Sequence, residues 1–127
     1  MKSLSHMIEL DTDARNFGFD WPDTHMIIEQ LISECHEVTE DIENNAPKEN
    51  IQEEIGDVIQ TAISLCLYAG FDVNDTIQKN NKKFSERITY LKEAAHAEGH
   101  NHLHGQSVSY MLSLWDKAKK RQQKEKA

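Results

Sequence analysis

Two adjacent stretches, residues 24–43 and 48–69, carry apolar side chains at three-to-four spacing and are separated only by Asn44-Asn45-Ala46-Pro47. That period belongs to a helix, and the four linking residues read as a turn. So short a connection makes the two helices antiparallel neighbours. The first stripe is Ile27, Ile28, Leu31, Ile32, Cys35, Val38 and Ile42. The second is Ile51, Ile55, Val58, Ile59, Ala62, Ile63, Cys66 and Leu67, widened by Leu65. The second helix is therefore expected to be the most buried, ended by Gly70 as a left-handed cap. Gly56, at mid-helix, costs about 1 kcal/mol against Ala, and close approach of a helix or metal is its expected compensation.

Each helix carries an acidic pair at the edge of its apolar stripe: Glu34 with Glu37, and Glu54 with Asp57. Three-residue spacing puts both carboxylates of a pair on one side. Four facing carboxylates repel and resist desolvation unless a cation lies between them. All-oxygen ligands suit a hard divalent ion, magnesium first. Two solvated acidic patches are the plainer alternative. Glu40, Asp41 and Glu43 read as solvated.

The remaining pattern is also helical. A first helix is expected over Met1 to Phe17, with Leu4, Met7, Ile8 and Ala14 inward. Phe17 to Pro22 is a loop whose three aromatics either cover a bundle end or offer a stacking surface for a base. A fourth helix, capped by Asp72 or Asn74, runs to about Ala97 with Val73, Ile77, Phe84, Ile88 and Leu91 as its stripe. A last helix spans about 107–124, with Val108, Met111, Leu112, Trp115 and Ala118 on one face and a basic, fraying end. The expectation is one all-α domain over residues 1–127, with a four-helix-type core at about 14–98.

The chain has 127 residues and a net charge of −8, which argues against broad nucleic-acid binding. The longest apolar run, Ala62 to Gly70, is too short to span a bilayer, and Met1 to Asp13 lacks a signal-peptide core. Cys35 and Cys66 read as reduced core thiols. Together these lead to the expectation of a cytoplasmic protein. Against the acidic background, Lys79, Lys83 and Arg87 form one basic row with Asn80 and Lys82 beside it, suited to phosphate oxygens or simply solvated. Carboxylate-held magnesium and a cationic clamp together equip phosphoryl chemistry. A competing set is Glu93-x-x-His96 with His100, His102 and His104, which would suit a di-iron or other transition-metal site.

Leu31-Ile-Ser-Glu-Cys-His-Glu-Val with Glu53-Glu-Ile-Gly-Asp-Val resembles the paired acidic motif of the MazG family, all-α nucleoside triphosphate pyrophosphohydrolases. Gly18-Phe-Asp-Trp-Pro-Asp23, Lys79-Asn-Asn-Lys-Lys-Phe through Arg87, and the Trp115/Lys119 spacing extend the resemblance over about residues 14–120, most like the second, catalytic half of the two-domain protein. It implies that Glu34, Glu37, Glu54 and Asp57 hold magnesium, with manganese able to substitute. It implies that Lys79, Asn80, Lys83 and Arg87 contact the triphosphate, and that Trp115 and Lys119 close over the nucleotide. It further implies a homodimer, or a dimer of dimers, whose partner is the nucleoside triphosphate. Ser33 stands where many relatives carry another Glu. A non-enzymatic helical interaction module and a di-iron bundle stay open as rivals.

Overall fold

The computed structural model describes residues 2–126. Among them it contains five α-helices and no strand: α1 Lys2–Asn16, α2 Thr24–Glu43, α3 Lys48–Tyr68, α4 Val73–Ala97 and α5 Val108–Lys126. The all-helical expectation is borne out, with boundaries close to those read from the sequence. The chain packs as two compact units, Met1–Thr76 and Ile77–Ala127, with the boundary in the first turn of α4. No helix among the described residues is long and apolar enough to cross a membrane.

In the first unit α2 and α3 form the central hairpin and α1 packs on α3. α2 starts where Asp23, in extended backbone, accepts the Met26 N–H through its carboxylate. That satisfies one of the orphan donors of the first turn. The turn closes through Asn44 and Ala46, whose N–H groups return to the Glu40 and Asp41 carbonyls. α3 ends at Gly70, which takes φ +89 and lets the Phe71 N–H reach back to the Cys66 carbonyl. α4 begins with Asp72 accepting from the Asp75 N–H at 2.8 Å.

The hairpin's apolar stripes are split. Ile27 is fully buried and Leu31 and Val38 half-buried, whereas Ile28, Ile32, Ile42, Ile55 and Ile59 are exposed. On both helices the exposed stripe is rotated in the same sense from the packed one. In an antiparallel pair this puts both stripes on one side, opposite the side that meets α1. α3 is, as expected, the helix with the largest share of its residues out of solvent, with an unbroken run from Ile63 to Tyr68. Its fully buried side chains are the polar Thr61 and Ser64. Cys35 is exposed, not a core thiol, and both cysteines are free. Gly56 has open space where a Cβ would stand, so no close approach demands it. Phe17 and Phe19 point into solvent and cover no bundle end.

In the second unit α4 and α5 are tied by polar contacts. Gln122 is buried, accepts from Arg87 Nε at 2.6 Å, and donates to the Lys83 carbonyl and to Glu86. Arg121 pairs with Glu93 and Glu125 and lies 4.1 Å over the Tyr90 ring. The inward face of α5 is Leu114, Ala118 and Gln122, while Val108 and Leu112 are exposed. The face read from the sequence is thus rotated by part of a turn. α5 is helical to Lys126.

Candidate functional site

The antiparallel turn sets Asp41 across from Glu54, and Glu37 and Glu34 progressively further along α2, facing Asp57 and Thr61 on α3. All of these lie on the side of the hairpin that meets α1, away from the exposed isoleucines. Glu34 is 9% exposed, and its Oε1 has no hydrogen-bond partner. Oε2 has only a long 3.4 Å contact from Gln30 Nε2. Glu54 is half-buried with Oε2 likewise unpartnered. Burial, above all, holds the Glu54 carboxyl above the usual carboxylate range. The adjacent Asp41 carboxyl adds to this through charge and direct contact, and Glu37 and Asp57 add repulsion.

Asp41 is the functional neighbour that the sequence reading missed. Its signal was present as the next step, after Glu34 and Glu37, of a three-four repeat. Its contact depends on the register across the Asn44–Pro47 turn, which spacing on one helix cannot supply.

Two buried carboxylate oxygens without a partner are costly, and oxygen is the donor a hard divalent cation takes. The residues therefore fit such an ion. Among the described residues no three acidic, His or Cys side chains are drawn together closely enough to hold a metal as they stand. Mutual repulsion of the carboxylates is a sufficient cause.

The hairpin also walls a cavity of about 380 Å³ in the first unit, which reaches Glu34 and Asp57 at one end. Trp21, from the Phe17–Pro22 loop, and the C-terminal part of α1 also line it.

The other expected site residues lie in the second unit. Lys79, Asn80, Lys83 and Lys119 are exposed, and Arg87 is half-buried against Gln122. Trp115 is half-buried, 5.8 Å from the Phe84 ring and 6.0 Å from the Arg87 guanidinium. His96 and His102 line a separate cavity of about 470 Å³ with Ile88 and Leu91. The His102 and His104 rings lie 5.0 Å apart, tilted by 49°, but no metal-ready group forms there among the described residues.

The chain is thus all-helical, with an α2–α3 hairpin that carries facing carboxylates, two of them with orphaned oxygens. Residues 23–91 match the MazG nucleotide pyrophosphohydrolase domain. The chain belongs to the MazG family. It is 27% identical over 117 residues to the nucleoside triphosphate pyrophosphohydrolase/pyrophosphatase MazG of Thermotoga maritima, covering 92% of this chain and 44% of that protein. It is 24% identical over 123 residues to the nucleoside triphosphate pyrophosphohydrolase of Escherichia coli K12, covering 96% and 46%. The chain thus spans about half the length of the curated relatives it matches.

Proposed function

We propose that this protein is a divalent-cation-dependent nucleoside triphosphate pyrophosphohydrolase, producing nucleoside monophosphate and pyrophosphate. The observation that carries the reading is the pair of unpartnered carboxylate oxygens, on Glu34 and Glu54, inside the family's matched segment. The pyrophosphohydrolase activity for which these relatives are named supports it.

Glu34, Glu37, Glu54 and Asp57 would hold magnesium or manganese, and Asp41 backs Glu54 from across the turn. When bound, the cation supplies charge neutralisation at the phosphate oxygens. Water adds across the α–β anhydride, its P–O bond breaks, and the two phosphate products separate. Glu37, exposed on the hairpin, or Glu34 takes the proton released by water. Lys79, Asn80, Lys83 and Arg87 are assigned to the triphosphate by charge and by the family resemblance, as are Trp115 and Lys119 to the nucleotide. The exposed isoleucines of α2 and α3 support a homodimer in which they are covered.

Incubation with magnesium and a panel of nucleoside triphosphates tests the reading. Equal amounts of monophosphate and pyrophosphate are expected. Orthophosphate alone, or no turnover with any nucleotide, contradicts it. Glu37→Gln and Asp57→Asn are each expected to lower turnover by orders of magnitude, about 10²-fold or more, with the helical circular dichroism unchanged.

A further inference from the structure

The cavity beside Glu34 and Asp57 has a lining that fits one part of a nucleotide and rejects another. Four carboxylates border it, Asp11, Asp20, Glu34 and Asp57, against a single cation, Arg15. Arg15 is already spent. It pairs with Asp11 at 2.9 Å, lies 3.7 Å from Asp20, and donates to the Ser64 carbonyl at 2.6 Å. Phosphate oxygens are therefore repelled from the body of the cavity, whereas a neutral, planar group is not.

The loop before α2 offers such a group a surface. The Trp21 indole N–H donates to the buried Ser64 hydroxyl at 2.9 Å, fixing the ring between the loop and α3. With its N–H committed, Trp21 has only its faces and edge to give, which is stacking and not directional recognition. Directional groups come instead from two glutamines. Gln60 forms no hydrogen bond among the described residues, and Gln30 has only its long contact to Glu34. Each amide carries two donors and an acceptor, the complement of a nucleobase edge. A volume of about 380 Å³ lies in the range of cavities that bury small organic ligands.

We propose that this cavity takes the nucleoside end of the substrate, with Trp21 stacking on the base and Gln30 and Gln60 selecting it. The inference rests on the pyrophosphohydrolase reading for its ligand class, and on the geometry above for its location. It assigns base selection to the first unit.

The chain has two tryptophans, so a Trp115→Phe variant leaves Trp21 as its sole indole fluorophore. A panel of nucleosides, which carry no phosphate to be repelled by the acidic lining, is titrated into that variant with chelator present, so that neither cation nor turnover contributes. Saturable quenching is expected, with a preference among bases. Gln60→Ala is expected to weaken binding roughly tenfold and to flatten that preference. Trp21→Ala, with helicity checked by circular dichroism, is expected to bind the same nucleosides roughly tenfold more weakly in equilibrium dialysis. Quenching absent from the Trp115→Phe variant, or binding undiminished in Trp21→Ala, overturns the inference. So does a base preference untouched by Gln60→Ala. The two readings fail separately. Pyrophosphate release without Trp21 quenching removes the cavity assignment alone, and quenching without turnover removes the hydrolysis reading alone.

Discussion

Glu34 and Glu54 are held where an uncompensated carboxylate is disfavoured. For Glu54 the sign follows directly. Its folded-state affinity for a proton is raised, so the favourable protonated form contributes stability at low pH. That contribution is lost as pH rises through the raised folded value. Chelator-treated protein should therefore lose thermal stability over that rise, and the Glu54→Gln variant should lose less, as read by melting temperature against pH. Magnesium should raise the wild-type melting temperature at neutral pH and leave the Glu54→Gln variant nearly unmoved. An equal shift in both proteins would remove Glu54 from the cation's surroundings. The four acidic positions were legible because three-residue spacing is a property of one helix. Asp41 was not, because its partner sits on the other arm of the hairpin. Trp21 was half legible: its loop suggested a stacking surface, but the Ser64 bond that fixes it spans 43 residues of sequence.

At the level of helices, boundaries were readable and faces were less so. Caps and stops are local: Asp23, Asp72 and Gly70 act on their own turns. The inward face of α5 is decided by what α4 presents. Gln122 satisfies Arg87, the Lys83 carbonyl and Glu86 together, which turns Leu114 and Ala118 inward and Leu112 out. A polar residue acting as the centre of a helix contact gives no apolar periodicity to read. Leu114→Ala should cost about 2–5 kcal/mol in chemical denaturation, the range for a filled core position. Leu112→Ala, at 61% exposure, should cost about 0.5 kcal/mol or less. Similar costs at both positions would mean that the face is misassigned. Asp23→Ala should cost about 1 kcal/mol through loss of the α2 cap.

The whole molecule buries few large side chains. Among the described residues the buried apolar ones are Ile27, Val73, Ala95, Leu114 and Ala118, of which only Ile27 and Leu114 are large and fully buried, while isoleucines on both arms of the hairpin face solvent. A contiguous apolar surface of that kind is what association covers. Light scattering should give a homodimer, and Ile32→Glu together with Ile59→Glu should shift it towards monomer. A wild-type monomer at all concentrations would contradict the dimer. The sequence pattern showed these isoleucines to be apolar and periodic, but periodicity alone does not distinguish a stripe facing a neighbouring helix from one facing another copy. The central claim is that the α2–α3 carboxylates make a cation-dependent pyrophosphohydrolase. Its most direct test is pyrophosphate release from nucleoside triphosphates with magnesium, with chelator, and in the Asp57→Asn variant. The account predicts stoichiometric pyrophosphate in the first condition and none above background in the other two. Release that persists in chelator or in the variant, or that never occurs, would contradict it.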